Sequence, residues 1–406
     1  MKQLSKLMLA AVASVALAAN AFAWDFGASG SSTASFNSTS TKASKDATNT
    51  IASGGVSSSA SSLSLASSHT DGTKTLSLSY TLDWDGNLDE TISLSGSSTV
   101  GGWTASGNVA YNRDTVGCYA TDNGTAASTA ATAGCQGQTG EDTTAVTVTD
   151  GTMTIKLGDA SHLSGQNVSS NGAAAGAVSF DAADDDASVG AFVGAFQGVS
   201  LGYKISDTMS ATVAYQASTD TADACGAGEA YDGEGATHGI TATGLGFSGT
   251  FGIASVGFTM CNATTADAGT ASVSPASTST ATSTMGIGVK LDLGDIDPFI
   301  SFGTYSAVGS VSKAGAAYAG NEVGLTYALG NDTVVFYVGS VTEIATPSGG
   351  VAGEAITKSG MELGYNTMVG PASLKVGYGS QTHAQTGGST DGYSMTDIEV
   401  AMTYGF

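Results

Sequence analysis

The sequence predicts an all-β fold: a transmembrane antiparallel β-barrel of 16 strands, with 18 as the alternative. Three observations carry this. Apolar and small-or-polar side chains alternate through most of residues 74–406, the two-residue period of a strand with one greasy face and one wet face. Connections between these segments alternate between tight-turn clusters and long Ala/Ser/Thr/Gly-rich stretches. After residue 23 no stretch is apolar enough for a spanning helix, so membrane entry requires a closed barrel, the other structure that satisfies every backbone group in lipid.

Residues 1–23 read as a secretory signal peptide. Lys2 and Lys6 give a basic start, Leu7 to Ala18 an apolar stretch, and Ala21-Phe22-Ala23 a small-x-small cleavage site before Trp24. The apolar stretch falls short of the roughly 20 residues a bilayer requires, so cleavage after Ala23 is expected and residues 24–406 form one exported barrel domain. Residues 24–67 are the ambiguous part. Trp24-Asp25-Phe26 and Leu63 with Leu65 suggest a further hairpin, which separates the 18-strand count from the 16-strand one.

From Lys74 the segments are clear. Leu76, Leu78, Tyr80, Leu82 and Trp84 form one stripe, with Asp85-Gly86-Asn87 as a turn signal behind it. Ile92 and Leu94 follow, then Trp103, Ala105, Gly107, Val109 and Tyr111. After a long gap, Val146 and Val148 lead through Asp150-Gly151 to Met153, Ile155 and Leu157. In the second half apolar stripes run through 188–205, 209–217, 237–247, 250–261, 283–293, 297–307, 321–329, 333–343, 356–365, 372–381 and 394–406. Short turns at Ser206-Asp207-Thr208, Ser248-Gly249, Gly294-Asp295-Ile296, Gly330-Asn331-Asp332 and Thr367–Gly370 alternate with long loops. That alternation is what an outer-membrane barrel shows, with the short turns periplasmic and the loops outside. The closing segment, Ile398 to Phe406, then runs toward the periplasm. Closure removes sheet edges, and a barrel this wide leaves an aqueous channel.

Composition excludes several functions. Removing the two signal-peptide lysines leaves ten basic side chains against 35 acidic ones, a net −25, and Arg113 is the only arginine. Such a chain repels nucleic acid and favours cations in any water it encloses. The acidic loops could hold Mg²⁺ or Ca²⁺ and bridge to lipopolysaccharide, but no stretch has calcium-loop spacing and no specific metal site is expected. His69, His162, His238 and His383 are scattered, Gly244-Leu-Gly246 precedes no helix, and nothing points to an enzyme or a cofactor.

The segment Gly151-Thr-Met-Thr-Ile-Lys-Leu-Gly158-Asp159 resembles a motif of the Gram-negative general porins, most closely the alphaproteobacterial type. Together with the export signal, the hairpin sequence and terminal Phe406, the resemblance spans the whole mature chain. It implies a diffusion channel, a homotrimer in outer-membrane lipid, and a loop after residue 158 that folds inward to narrow the pore. An aromatic C-terminus resembles the label read by barrel-assembly machinery, a role that falls on Phe406. The family's arginine cluster opposite the loop is missing here.

Lysines could replace it. Parity places Lys156, Lys204, Lys290 and Lys375 on the wet face, where a charge avoids the ~2–4 kcal/mol cost of facing lipid. The plain reading is that the lumen is the one place left for a charge; the sharper one has them oppose Asp181, Asp184, Asp185 and Asp186 of the loop across a constriction. Asp83, Asp397 and Glu399 share the wet parity, and weak cation selectivity follows. Four cysteines in an exported chain suggest disulfides. Three connectivities are open. Cys118–Cys135, within one loop, and Cys225–Cys261, at the ends of neighbouring hairpins, form the favoured pairing. The expected function is passive diffusion of small hydrophilic solutes and ions. The alternatives are a solute-specific channel, for which the mostly lipid-parity aromatics argue little, and a secreted Ser/Thr/Ala-rich surface protein, which would show a short repeat.

Overall fold

The computed structural model describes residues 25–84, 88–113, 141–160, 162–163, 196–218, 238–267, 279–308, 316–345, 355–385 and 391–406. The expected signal peptide, residues 1–23, therefore lies outside the described residues. Eighteen strands are present among those described: β1 (Asp25–Lys42), β2 (Ile51–Asp71), β3 (Lys74–Trp84), β4 (Leu88–Val100), β5 (Trp103–Arg113), β6 (Glu141–Thr149), β7 (Met153–Ala160), β8 (Phe196–Ser206) and β9 (Met209–Ser218). They continue as β10 (His238–Phe251), β11 (Ala254–Asp267), β12 (Ser279–Leu291), β13 (Ile296–Val308), β14 (Ala316–Leu329), β15 (Asp332–Ala345), β16 (Ala355–Val369), β17 (Ala372–Gln385) and β18 (Ser394–Gly405).

All belong to one antiparallel sheet, in which β1 pairs with both β2 and β18. The fold is a closed β-barrel with no free edge to recruit another chain. The 16-strand expectation is corrected to 18. The 18-strand alternative is the one observed: the further hairpin suggested at residues 24–67 is β1–β2, whose positions are filled mainly by Ser, Thr, Ala and Gly, so the apolar alternation that marks the later strands is faint there.

From β5 onward the alternation of connection lengths holds, whereas β2 to β5 are joined by three successive short connections. Gly72, Gly101, Gly151, Gly252, Gly330 and Gly370 occupy the tight turns with positive φ. One turn is displaced from its expected place. β10 continues past Ser248-Gly249 and turns at Gly252, because Gly249 is covered by Phe247 and Phe251 rather than exposed at a bend.

The chain falls into two compact units. The first comprises Met1–Ala34, Ser58–Asp150 and Tyr404–Phe406. On β3 to β6 its exposed face carries Leu76, Leu78, Ile92, Leu94, Val109, Tyr111 and Val146, each 40–47% exposed. A continuous apolar face of this kind suits hydrocarbon and is costly in water. The opposite face is a lattice of hydroxyls: Thr75 stands opposite Ser97, Ser97 opposite Ser106, and Ser106 opposite Thr147. Thr70 and Thr75, and Thr99 and Thr104, share hydrogen bonds at 3.2 and 2.9 Å. At Gly30 and Phe406 the first and last strands exchange two backbone hydrogen bonds of 2.8 and 2.9 Å.

The second unit comprises Ser35–Ser57 and Gly151–Thr403. Its exposed stripe includes Ile155, Leu157, Leu201, Tyr203, Val213, Ile287, Phe302, Val338 and Leu363. Its other face is buried: Gln216, Thr259, Cys261, Thr284, Ser301, Glu362 and Gln381 are all 0–2% exposed. β1 and β18 meet within this unit. Thr39 donates to Asp397 at 2.7 Å, and Lys45 pairs with Asp391 at 2.7 Å. The second pair lies just beyond the ends of β1 and β18 and keeps the antiparallel register of the first.

Candidate functional site

The site is built where β7 ends. At Gly158 the backbone takes φ 115°, a left-handed value that costs a side-chain-bearing residue dearly. That bend, followed by two more residues of strand, delivers His162 and Leu163 onto the buried face of the second unit, where they are 3% and 2% exposed. The His162 Nε2–H donates to the Gly158 carbonyl at 3.0 Å, and its Nδ1 meets the Ser200 hydroxyl at 2.8 Å. In the neutral ring with Nε2 carrying the proton, Nδ1 accepts from the Ser200 hydroxyl. Leu163 lies on bare backbone: a Cβ at Gly244 would stand 2.7 Å from its Cδ1 and 3.6 Å from the Ala214 methyl. The first residues of the expected inward loop thus turn to the buried side, and only a glycine opposite them leaves room.

Beside this turn a cavity of about 270 Å³ opens on the same face of β7 to β9. Lys156 and Lys204 both line it, with His162, Thr154, Ser200 and Thr212. The register explains the grouping. Lys156 stands opposite Ser200, and Thr154, Gly202 and Thr212 form one row across three strands. A bulge between Lys204 and Ser206 alters the register at the end of β8. Lys204 also pairs with Asp207 of the following turn at 2.7 Å. That hydrogen bond and the ammonium's charge hold the Asp207 carboxyl below the usual aspartate range.

The other two expected lysines lie elsewhere. Lys290 has the same parity as buried Thr284 and pairs with Asp297 at 3.1 Å. Lys375 has the parity of buried Gln381 and stands opposite Asn366. The four share the wet face but gather as one pair and two singles. Asp181, Asp184, Asp185 and Asp186 lie outside the described residues, as do Cys118, Cys135 and Cys225.

Cys261 is disulfide-bonded and fully buried. Its expected position at a hairpin end is corrected: β11 runs on to Asp267, which leaves Cys261 in mid-strand, on the buried face between Thr259 and Ala263. The Ala-Thr-Thr-Ala-Asp stretch after it reads as loop composition, yet it pairs residue for residue with β10. Asp397 lies on the wet face as parity requires, 6% exposed beneath Thr39.

Sequence reasoning missed a cluster on β13 to β16. Phe299, Val335 and Tyr337 are buried together on the face opposite Phe302 and Val338. Phe299 and Tyr337 close over Gly324, where an added Cβ would meet Phe299 at 2.5 Å. The Tyr337 hydroxyl donates to Glu362, and Glu322 is buried on the same face. A signal existed: Val334-Val-Phe-Tyr-Val338 is apolar on both parities, which a strand facing water on one side has no reason to be. Lys358, on the parity of Glu362, was missed as well. Among the described residues no group of three His, Cys, Asp or Glu side chains is arranged to hold a metal ion.

No protein-family model and no curated protein matches the chain. The solved structures are informative about fold. The chain is similar to the outer membrane channel DcaP of Acinetobacter baumannii, with a TM-score of 0.50, 13% identity, and coverage of 94% of this chain and 97% of that one. It is also similar to OpdL of Pseudomonas aeruginosa, with a TM-score of 0.50, 10% identity, and coverage of 94% and 99%. For OpdQ of the same species the values are 0.50, 10%, 94% and 98%. At these identities the likeness establishes the barrel fold shared with such proteins.

Proposed function

We propose that the chain forms a channel in the outer membrane of a Gram-negative bacterium, through which small hydrophilic solutes and ions diffuse passively. The observation that carries this is a closed 18-stranded sheet with an apolar outer stripe and a polar opposite face. Barrels of 16–18 strands leave an aqueous lumen. The fold likeness to an outer membrane channel supports the reading. No covalent chemistry is assigned to the chain.

The channel is narrow in this reading. Wall side chains such as Gln216 and Gln381 would be wet in an open pore, but they are 0% and 1% exposed. Weak cation selectivity is expected from the net −25, screened beyond a Debye length of ~8 Å at 0.15 M salt. The protein is proposed to be exported by its signal peptide, assembled as a homotrimer, and bridged at its acidic loops to lipopolysaccharide by divalent cations.

The test is planar-bilayer recording of purified protein. Stable conductance steps, smaller than a fully open lumen of this strand number allows, are expected. A protein that partitions into membranes and never conducts would overturn the channel reading. Reversal potentials in Asp184/Asp185/Asp186→Asn then test the loop carboxylates: an unchanged cation preference would remove them from the filter.

A further inference from the structure

We propose that the outward face of β11 to β18 carries, above its apolar stripe, a collar that binds the saccharide headgroup of an anionic glycolipid. The inference rests on the reading of the chain as an outer-membrane barrel. On these strands the outward stripe stays apolar up to Met285, Phe302, Val323 and Val338, each 42–50% exposed. Toward the long-loop end of each strand, the next outward residue is short, polar and uncharged: Ser283, Thr304, Asn321 and Ser340. The register lines such residues into rows. Asn262, Ser283 and Ser306 stand side by side across β11 to β13. Asn321, Ser340, Ser359 and Thr382 do the same across β14 to β17.

Charge is what the collar lacks. Glu322, Lys358, His383 and Asp397 alternate with collar residues along β14, β16, β17 and β18, and all take the wet face. Hydrocarbon enforces that segregation only within the apolar stripe. Beyond it, water would accept carboxylates on either face, and the chain has 35 acidic residues against 12 basic ones to place. Against a polyanionic headgroup, an acidic protein must keep its carboxylates away, because like charges brought together repel. Neutral hydroxyls then supply the contact: each donates and accepts, as sugar hydroxyls do. Some collar groups bond one another, with Asn321 donating to Ser340 at 3.3 Å and Thr342 sharing a bond with Thr357 at 3.2 Å. Thr304, Ser306, Ser359 and Thr382 are exposed and hold no side-chain hydrogen bond among the described residues. The depth fits a sugar layer. Ala355, Thr357 and Ser359 are successive outward positions of β16, and such positions lie about 7 Å apart along a strand. Tilted by about 40°, the three span roughly 10 Å of height. That exceeds the roughly 5–8 Å that polar headgroups add to each side of a bilayer's hydrocarbon core.

The experiment measures retention of rough lipopolysaccharide micelles by the full detergent-folded protein in EDTA, with phosphatidylglycerol micelles as the control. EDTA removes divalent bridges at the acidic loops. The test needs no conduction, so it can fail while the channel reading stands, and the reverse. Saturable retention of lipopolysaccharide, at least about tenfold tighter than that of phosphatidylglycerol, is expected. Thr304→Val/Thr382→Val should weaken it by about tenfold, the loss of two hydrogen bonds, and Thr304→Asp/Thr382→Asp by more. Thr73→Asp/Asn331→Asp adds the same charge at exposed tight turns and should leave retention unchanged. Heat-modified mobility on gels confirms that each variant is folded. Equal retention of the two lipids would overturn the proposal, because apolar contact would then account for the binding. So would loss of retention in EDTA, which assigns the contact to divalent cations. Equal weakening by the two aspartate pairs would overturn it too, because net charge would then be the cause.

Discussion

Leu163 and Gly244 make the sharpest test of how the turn after β7 is held. Leu163 is 2% exposed and sits over a glycine that leaves only 2.7 Å to a hypothetical methyl. Leu163→Ala should loosen the turn by about 2–5 kcal/mol, the cost of emptying a packed leucine site. At 1.4 kcal/mol per factor of ten, the undocked population rises by at least about 25-fold. Gly244→Ala acts from the other side and should cost about 1–3 kcal/mol by overpacking, since its methyl would stand 2.7 Å from the Leu163 Cδ1. The two should not add. In Leu163→Ala the void accepts the new methyl, so Gly244→Ala becomes neutral or stabilising there, with a coupling of about 1–3 kcal/mol. Native-state hydrogen exchange of peptides covering β7 and β10 reads the docking, and loss of heat-modified mobility reads the whole barrel. Additive effects on exchange would refute direct packing between the two positions.

Three further outcomes are expected. Gly158→Ala, placed at φ 115°, should loosen the same turn by about 1–2 kcal/mol, seen as faster exchange at the end of β7; an unchanged rate would show that the bend is not needed there. Asp391 is held below the ordinary aspartate range, first by the Lys45 hydrogen bond and then by the Gln385 backbone N–H. A depressed folded pKa stabilises above the unfolded value near pH 4 and is lost as pH falls through the folded one, so proteolysis at residues 43–50 should rise below about pH 4 in wild type and show no such step in Asp391→Asn. Deleting Phe406 removes both hydrogen bonds to Gly30 and should reduce the yield of assembled barrel far more than the conductance of barrels that do form; normal insertion would count against its role as an assembly label.

Strand parity was legible because each strand of a closed sheet turns alternate side chains outward. Leu76, Ile92, Val109, Ile155, Leu201 and Ile398 all take the exposed face that alternation predicts. The wet-face lysines followed from the same rule. β1 and β2 were legible only as an alternative for the converse reason: with Ser, Ala and Gly on both parities, little beyond Phe26, Leu63 and Leu65 marks them. Burial on the wet face was illegible too. Alternation says which way Gln216 or Cys261 points, but not that both are covered when they get there. The lysine cavity needed register as well as parity, because Lys156 and Lys204 lie on different strands and only the β7–β8 pairing brings them together.

Small residues on the wet face explain how one wall can serve two purposes. Across β8 to β11 that face reads Gly202, Thr212, Gly246 and Thr259 in one row, and Ser200, Ala214, Gly244 and Cys261 in the next. Rows of this kind leave backbone within reach of whatever crosses them. Where Leu163 crosses, the bare spot at Gly244 becomes a socket; where nothing apolar crosses, the bare spot at Gly202 becomes the floor of a cavity between lysines. Filling either glycine should therefore have opposite signatures. In hydrogen exchange, Gly244→Ala should disturb the turn after β7 and spare the start of β9, whereas a side chain at Gly202 should crowd Thr154 and Thr212 and spare the turn. A variant at one position that produced both effects would mean that the turn and the cavity are a single unit, with His162, which roofs the cavity from within the turn, as the link between them.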